Sequence, residues 1–412
     1  MERRLLTLFV CAALFASEAV AELRLASALD WGFVAAHSKP SFVDGGQSKM
    51  RYGQGDDGLQ LLTGYAQAQY DINAVWNAKV AVDVNPHAEN KVGLIDAFVQ
   101  YRPLPLGQVR LRAKVGAFRP PISFEHGADG WATLYTTNAS AINSWVGEEL
   151  GGVGVEVTIK RDLASAESDW YWALSGAALY GNDPAGTVLS WRGWSMNNWQ
   201  TAMNGRVALP DIPIVRNTAH QRPYAEPFLE LDGRAGYYAW GEIGLAGRAR
   251  LRTLYYDNRA DLAEQGRGQS TWCTSFWHVG FQASLPWNVG LVAQWMDGMT
   301  YAGEVAARWG NRHWVENAFD ASFVLLTKTH DRHRVTVRRD WFGVDDLDLN
   351  PNDVNDEDGT GVTVSYQYKW SDRWLFGVEY LRADSTRAAR EYDGEALRRS
   401  ESSWFGTVRV SL

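Results

Sequence analysis

The sequence predicts an all-β fold: one transmembrane antiparallel β-barrel of about 16 strands, with short turns at one end and long loops at the other. Apolar and polar residues alternate along segments of about 10 residues, which suits a tilted strand that crosses a membrane. Short and long connections alternate along the chain, as they do in outer-membrane barrels. The mean hydropathy is -0.30. Beyond the N-terminus no apolar run reaches about 18 residues, which excludes a helical membrane protein.

The composition narrows the classes of protein further. Of the 412 residues, 46% are hydrophobic, 13% aromatic and 21% charged, which excludes an intrinsically disordered chain. The formal net charge of -8 argues against nucleic acid as a partner. The two cysteines are Cys11 and Cys273. Because Cys11 lies in an N-terminal segment that we expect to be removed, the mature chain cannot form an intramolecular disulfide.

The N-terminal segment has the features of a secretory signal peptide. Arg3 and Arg4 form a positive start, an apolar stretch follows, and residues 19–21 read Ala-Val-Ala, which fits the cleavage site of such signals. We therefore expect a signal peptide over residues 1–21 and a single barrel domain over residues 22–412.

Period-two alternation is clearest in five segments. They are residues 58–72, 76–84, 95–102, 109–117 and 402–412. Alternation of this kind marks a strand with one apolar and one polar face. A soluble β-sandwich also alternates, but its strands are usually shorter, about 5–6 residues. The last segment ends with the chain at Leu412, where outer-membrane proteins commonly carry an aromatic residue. A strand there would close the barrel, because a free sheet edge cannot lie in lipid.

The connections between strands set the strand number. We expect short turns at residues 71–74, 103–107, 161–168, 246–247, 286–288, 329–332 and 370–373. We expect long loops at residues 37–57, 86–91, 119–149, 181–235, 259–270, 301–317, 344–360 and 384–401. Seven turns and eight loops give 15 connections and therefore 16 strands, enough to enclose an aqueous lumen. Because one loop is short, 14 or 18 strands remain open.

Four short segments resemble bacterial outer-membrane porins, and most closely a group akin to phosphate-selective porins. They are GAFRPPISFEH at residues 116–126, SAINSWVGEE at 140–149, DGRAGYY at 232–238 and EYLRADS at 379–385. The resemblance implies passive diffusion of small hydrophilic solutes or anions through a homotrimer. It also implies a place in the outer membrane of a Gram-negative bacterium, in contact with lipid and lipopolysaccharide.

Residues 119–149 form the third long loop. A loop of about 30 residues that carries two adjacent prolines and two tryptophans is too long and too apolar to extend freely into water. In general porins the third loop folds into the lumen, so we expect this loop to form a constriction. Its candidate constriction residues are Glu125, His126, Asp129, Glu148 and Glu149. An outer cap or a contact between subunits is the alternative.

Two sets of basic residues alternate with mostly apolar residues. They are Arg110, Arg112 and Lys114 in one segment, and Arg248, Arg250 and Arg252 in another. A charge on the lipid-facing side would cost about 2–4 kcal/mol, so both sets should face the lumen. Successive cations on one face form a ladder that attracts anions, which predicts a weak anion preference. The alternative is that acids of the wall, Asp96 among them, or of the third loop pair with these cations.

Seven acids lie between Asp345 and Gly359. Oxygen ligands at this density suit a structural calcium ion, with Asp346, Asp348, Asn350 and Asp353 as candidate ligands. The segment is not an EF-hand, because Pro351 stands where the turn glycine belongs. The alternative is a solvated acidic loop that divalent ions bridge to lipopolysaccharide. We expect no other cofactor.

A passive channel is the leading hypothesis for the function, and two other classes stay open. An outer-membrane barrel enzyme would need a nucleophile and a base in one constellation, which no motif marks here. A surface adhesin or receptor would act through the long outer loops. Lipase and protease assays of the detergent-solubilised protein separate the enzyme from the channel.

Overall fold

A computed structural model describes residues 22–163, 169–218 and 221–412. Sixteen of its strands form one closed antiparallel barrel. This result confirms the predicted fold class and the predicted strand number. The signal peptide predicted over residues 1–21 lies outside the described residues.

The barrel strands follow one another around the wall in chain order. They are β1 (Glu22–His37), β2 (Gly58–Asp71), β3 (Trp76–Val84), β4 (Val92–Tyr101), β5 (Val109–Phe118), β6 (Gly152–Asp162), β7 (Trp170–Tyr180), β10 (Gly236–Leu245), β11 (Ala249–Asp257), β14 (Trp272–Leu285), β15 (Val289–Ala306), β16 (Arg312–His330), β17 (His333–Asp346), β18 (Glu357–Lys369), β19 (Trp374–Arg387) and β20 (Arg398–Ser411). Two short strand pairs lie in the connections: β8 (Val207–Ala208) with β9 (Tyr224–Ala225), and β12 (Gln265–Gly266) with β13 (Gln269–Ser270).

The first and last strands close the barrel. β1 pairs with β2 on one side and with β20 on the other, where Ala28 lies opposite Ser411 and His37 opposite Ser402. Closure pairs the backbone groups of both strands, as lipid requires. The short turns lie at one end of the barrel, named here the turn rim. Residues 164–168 of the turn predicted at 161–168 lie outside the described residues. The other eight connections lie at the opposite end, named the loop rim.

The helices lie in the connections. The α-helices are α1 (Ala141–Glu149), α2 (Thr187–Arg192) and α3 (Pro213–Asn217), and the 3-10 helices are Phe42–Asp44, Pro286–Asn288, Ala307–Trp309 and Ala388–Asp393. α1 begins at Ser140, whose hydroxyl accepts a hydrogen bond from the backbone N–H of Asn143 at 3.3 Å. This cap satisfies one of the free amides of the first turn. None of the described helices is long and apolar enough to cross a membrane.

The outer wall of the barrel is apolar. Leu111, Val115 and Leu174 are exposed on this face. Tyr255 and Trp277 lie side by side there, with ring centroids 4.9 Å apart. Aromatic residues of this kind form the girdles of membrane barrels at the interface between lipid and water.

Two bulges change the expected alternation. The pairing of β1 with β2 skips Leu62, and the pairing of β3 with β4 skips Ile95. Both residues follow the apolar parity of their segments, which predicts exposure to lipid, but both are fully buried. An extra residue in one strand re-aims its side chain, so the prediction for these two positions is wrong.

Three loops are shorter than expected. The predicted loops 301–317, 344–360 and 384–401 reduce to the connections 307–311, 347–356 and 388–397. The reason is that β15, β16 and their neighbours run on past the membrane: β16 has 19 residues, whereas about 9–11 suffice to cross. Strand pairing continues to satisfy the backbone beyond the lipid.

Two long connections reach into the barrel. They are residues 119–151, named loop 3, and the described residues of 181–235, which are 181–218 and 221–235 and are named loop 4. Every residue of α1 and α2 is buried. The ring of Trp145 in α1 lies 5.5 Å from that of Phe276 and 5.2 Å from that of Phe319 on the wall. α2 approaches the wall so closely that a Cβ on Gly186, the residue before it, would lie 2.0 Å from the hydroxyl of Thr300.

Single cysteines can test which face each strand presents. In a Cys273→Ser background in lipid vesicles, we expect Leu111→Cys, Val82→Cys and Val410→Cys to react with lipid-soluble maleimides only, because the outer wall lies against lipid. Arg110→Cys, next to Leu111 but on the opposite face, is the control and should react with a membrane-impermeant reagent. Reaction of Leu111→Cys with the impermeant reagent would contradict the placement.

Candidate functional site

One buried arginine fastens loop 3 to the inner wall. Arg338 of β17 is fully buried and pairs with Glu125 of loop 3 at 2.8 Å and with Asp340 of its own strand at 2.8 Å. Its guanidinium also donates to the carbonyl oxygens of Asn138 (2.8 Å) and Ala139 (2.9 Å). A buried guanidinium needs partners for its donors, so these bonds fix the position of loop 3 in the lumen. Sequence reasoning missed Arg338, although its place on the lumen-facing parity of β17 was a signal.

Two wall carboxylates hold the segment that leads into α1. Glu379 of β19 accepts hydrogen bonds from the backbone N–H groups of Thr137 (2.5 Å) and Asn138 (3.0 Å). Asp340 accepts one from the N–H of Ala141 at 3.2 Å. A carboxylate at a helix N-terminus is favoured by the free amides and the helix dipole. The chain therefore enters α1 at a fixed point of the wall.

Two of the predicted constriction residues join α1 to α2. Glu149 accepts hydrogen bonds from the backbone N–H groups of Val188 (2.9 Å) and Leu189 (3.1 Å), so it caps the N-terminus of α2. Glu148 pairs with Arg192 at the other end of α2. These bonds make loop 3 and loop 4 one packed unit.

The four predicted acids of loop 3 therefore differ in their access to the lumen. Glu125, Glu148 and Glu149 are at most 1% exposed. Asp129 is exposed, and its carboxylate accepts a hydrogen bond from the side-chain amide of Gln67 at 2.9 Å. Of the four, Asp129 is the acid with an exposed side chain.

His126 packs against other residues of loop 3. Its ring stacks on Trp131 with centroids 3.6 Å apart, and its Nδ1 lies 2.7 Å from the hydroxyl of Ser123. Burial, together with the positive charges of Arg119 and Arg338, lowers the pKa of His126 to about 3. The imidazole is therefore neutral at neutral pH.

A small gap remains between loop 3 and the wall of β1, β2 and β20. It is an enclosed cavity of about 20 Å³, lined by Asp30, Tyr65 and Arg409 on the wall and by His126 and Asn143 on the loop. That volume accommodates about one water molecule. Arg409 binds Asp30 through two bonds of 2.6 and 2.7 Å. Sequence reasoning missed this pair, because the first and last strands meet only when the barrel closes.

A larger pocket of about 340 Å³ opens on the lumen side of β5, β6, β10 and β11. Its lining includes the predicted bases Arg110, Arg112 and Arg252, together with Lys160 and Trp240. The two predicted sets of bases thus meet at one place on the wall. Sequence reasoning missed Lys160, which alternates with outward-facing residues of β6 just as the predicted bases do on β5.

Salt bridges tie most of these bases to the wall. The pairs are Arg110 with Asp162 (2.7 Å), Lys114 with Glu156 (3.1 Å), Arg112 with Glu156 (3.8 Å) and Arg252 with Glu242 (2.7 Å). The partners are acids of neighbouring strands, and Asp96 pairs instead with Lys79 at 3.2 Å. The ladder and the wall salt bridges therefore exist together.

One predicted base is not on a strand. Arg248 lies in the turn between β10 and β11, where its backbone N–H donates to the carbonyl of Leu245 at 2.9 Å. Its predicted place on the strand of Arg250 and Arg252 is wrong, because the turn is one residue longer than expected. Arg250 does lie on β11, where it donates to the side-chain oxygen of Gln282 at 2.8 Å and lies 4.2 Å from the ring of Phe124. Arg248 and Arg250 both line a pocket of about 290 Å³ at the turn rim.

The lumen-facing charged residues of β5, β6, β10 and β11 set the net charge of this part of the wall. The cations are Arg110, Arg112, Lys114, Lys160, Arg250 and Arg252, and the acids are Glu156, Asp162 and Glu242. β7, which lies between β6 and β10, has no charged residue. Six cations against three acids leave a surplus of three positive charges.

The predicted calcium ligands serve mainly as turn residues. Asp346 accepts hydrogen bonds from the backbone N–H groups of Asn355 (2.9 Å) and Asp348 (3.2 Å), and Asp348 accepts one from that of Asn350 (2.8 Å). Bonds of this kind stabilise turns. In the part of the chain that the structure describes, the one group of three acids with ligand atoms within 4.8 Å of one another is a different one, formed by Asp183, Glu230 and Asp232.

Comparison with known proteins finds likeness in structure. No protein-family model and no curated protein matches the chain. The outer membrane channel DcaP of Acinetobacter baumannii matches at 13% identity with a TM-score of 0.55, over 97% of this chain and 99% of that chain. OmpT, an outer membrane protein of Vibrio cholerae in trimer form, matches at 11% and 0.52, over 95% and 99%. An anion-selective porin from Comamonas acidovorans matches at 10% and 0.52, over 95% and 100%.

These similarities extend over nearly the whole chain and show its fold. The neighbours are outer-membrane proteins, among them a channel and a porin. The identities of 10–13% are too low to carry a solute or an assembly over to this chain. The finer resemblance to phosphate-selective porins, the homotrimer and the contact with lipopolysaccharide stay predictions.

Arg338→Met should loosen loop 3. The change leaves Glu125 and Asp340 buried without their cation, and breaking a buried pair in this way costs about 3–5 kcal/mol. We expect a lower midpoint of urea unfolding in lipid vesicles and faster cleavage of loop 3 by protease. Arg339→Met, which changes the neighbouring arginine on the outer face, is the matched control. Equal midpoints for the two variants would show that the buried bonds do not hold the loop.

Acid should weaken the packing around His126. Because the native pKa lies below the ordinary value of 6.5, the unfolded chain binds the proton more readily, and stability falls as the pH drops from about 6.5 toward 3. The slope contributed by one such group is at most about 1.4 kcal/mol per pH unit. Urea midpoints at neutral pH and at about pH 5 measure it. His126→Phe keeps a ring on Trp131 without a titrating group, so its pH dependence should be smaller; an unchanged dependence would refute this role.

Proposed function

We propose that this protein is a porin of a Gram-negative outer membrane, a passive channel for small hydrophilic solutes with a weak preference for anions. The closed 16-stranded barrel with an apolar outer wall and a charged inner wall carries the proposal. An apolar outer wall suits lipid, and a polar inner wall suits water. A barrel of 16 strands is wide enough to enclose an aqueous path.

Loop 3 and loop 4 would set the size limit for a solute. The bonds of Arg338 and Glu379 hold loop 3 in the lumen, and the bonds of Glu148 and Glu149 tie loop 4 to it. Because both loops are tied to the inner wall, they reduce the cross-section that remains for a solute. We therefore infer a narrow channel with low conductance.

The anion preference rests on the surplus of three positive charges around the 340 Å³ pocket. A paired cation and acid act together as a dipole, whereas the surplus acts as a net charge that raises the local concentration of anions. The buried acids of loop 3 are neutralised or bonded where they lie. Charges of the outer loops more than about 8 Å from the path are largely screened at physiological salt.

The guanidinium groups of the pocket suit small oxyanions. Arg110 and Arg112 keep 62% and 45% of their side chains exposed despite their salt bridges. A guanidinium presents two parallel donors that match a carboxylate or a phosphate. The phosphate selectivity that the resemblance implies would depend on phosphate binding by Arg110 and Arg112.

Planar-bilayer recording of the refolded mature chain tests the channel itself. We expect discrete conductance steps that persist without an energy source, because diffusion through a fixed lumen is passive. The same preparation assayed for lipase and protease activity serves as the comparison. Assembled barrels that insert without any conductance step would refute the proposal.

Neutralising the exposed rungs of the ladder should reduce the anion preference. In a salt gradient we expect the reversal potential of the wild type to show a preference for anions. The double variant Arg110→Gln with Arg112→Gln should lower the anion-to-cation permeability ratio by about twofold or more. Arg382→Gln, which removes an arginine from the outer face of β19, is the matched control and should leave the ratio unchanged. A wild type that prefers cations, or a double variant without a shift, would show that the ladder is only structural.

A further inference from the structure

A buried aspartate at the loop rim has no bonding partner. Asp353 lies in the connection between β17 and β18 and is fully buried. Among the described residues, neither oxygen of its carboxylate has a hydrogen-bond partner. Burying an ionised carboxylate costs several kcal/mol unless a cation or hydrogen bonds compensate. The fold therefore leaves a negative group that requires a ligand or a proton.

Two buried amides nearby also lack partners. Asn355 and Asn317 are fully buried, and within the described ranges neither side-chain oxygen nor either side-chain nitrogen makes a hydrogen bond. The side chain of Asn355 lies beside the carboxyl of Asp353. The backbone N–H of Asn355 donates to Asp346, and Asn317 lies directly opposite Asp346 in the pairing of β16 with β17. Asn355 is therefore a neighbour of both Asp353 and Asp346, and Asn317 is a neighbour of Asp346 across the sheet.

The charge around Asp353 is negative. The carboxylates of Asp348 and Asp346 are its nearest charged neighbours of the same sign. Among the described groups that act on it, the cation is Arg387. Arg387 is already engaged with Glu357 at 2.9 Å and with the carbonyl of Ser190 at 2.9 Å. No other cation among the groups acting on Asp353 in the described structure compensates its charge.

We propose that Asp353, Asn355 and Asn317 bind one calcium ion. Carboxylate and amide oxygens are the ligands that calcium prefers. The set keeps Asp353 from the sequence prediction and leaves out Asp346, Asp348 and Asn350, whose oxygens already accept backbone hydrogen bonds. The site does not depend on the channel function.

The ion would fasten three loops together. The carbonyl of Asn352 accepts a hydrogen bond from the backbone N–H of Ile214 in loop 4 at 3.1 Å. The carbonyl of Pro351 accepts one from the hydroxyl of Tyr392, in the connection between β19 and β20, at 3.0 Å. A calcium ion on Asp353 would stiffen this connection and, through it, the packing of loop 4 inside the barrel.

The second acidic group, formed by Asp183, Glu230 and Asp232, differs from this site because its carboxylates have hydrogen-bond partners. The carboxylate of Asp183 accepts hydrogen bonds from the backbone N–H groups of Leu231 and Asp232, and that of Glu230 from Gly181 (2.7 Å) and Gly233 (2.7 Å). Its oxygens have backbone partners, so the group needs no ion. It does provide an internal comparison for the experiment.

Calorimetric titration of the chelator-treated, detergent-solubilised protein with calcium chloride tests the site. We expect one calcium ion per chain, and Asp353→Asn should weaken its binding at least about tenfold because it removes the one charged ligand in direct contact. Asp358→Asn, an exposed acid beside the same loop, and Asp232→Asn, from the second acidic group, are matched controls and should bind as the wild type does. A calcium-dependent rise in the thermal unfolding temperature should be lost in Asp353→Asn alone.

If Asp353→Asn does not fold, Asn355→Ala is the second test variant, because it keeps the carboxylate of Asp353. It should also weaken calcium binding, because an amide ligand is lost. The proposal is overturned if the wild type takes up no calcium. It is equally overturned if both variants bind calcium as tightly as the wild type, or if Asp232→Asn is the variant that loses the ion.

Discussion

The hydrocarbon of a membrane offers no hydrogen-bond partner to a backbone amide. The pairing of β1 with β20 meets this constraint by closing the sheet, and most of the remaining architecture follows from it. Once the sheet is closed, alternate side chains must face lipid or lumen, and the outer set must be apolar. Sixteen strands enclose a space that the side chains of the wall cannot fill by themselves. Other parts of the chain therefore occupy it.

Loop 3 and loop 4 occupy that space, and charged groups hold them there. The inner wall offers the loops both apolar and charged groups. Phe276 and Phe319 pack against Trp145 of loop 3, and Arg338, Asp340 and Glu379 bind the same loop through ion pairs and hydrogen bonds. Buried ion pairs add little net stability, since desolvation offsets their attraction, but removing one partner is costly. Such bonds select one placement of the loop among many. Here they place the start of α1 at a single point of the wall.

The local pattern of the sequence predicts what depends on local geometry. Alternation and the spacing of turns were enough for the strand number, because both are read within one hairpin. The positions of Leu62 and Ile95 were predicted wrongly, since a bulge depends on the partner strand. The bond between Arg338 and Glu125 joins residues 213 positions apart, and no local pattern reports such a contact. The loop 3 acids were recognised as a group, but their burial follows from that long-range pairing.

The basic residues of the inner wall form its salt bridges and also give it a positive net charge. An arginine inside a barrel needs an acid nearby to lower the cost of its burial, and Glu156, Asp162 and Glu242 provide this on adjacent strands. One acid for each cation would leave a neutral wall, but Glu156 and Asp162 each serve two cations and Arg250 pairs with an amide instead. The surplus of positive charge thus arises because a smaller number of acids than of cations is enough to stabilise the wall. A chain with a net charge of -8 can in this way carry a positive patch in its lumen, because its excess acids lie elsewhere.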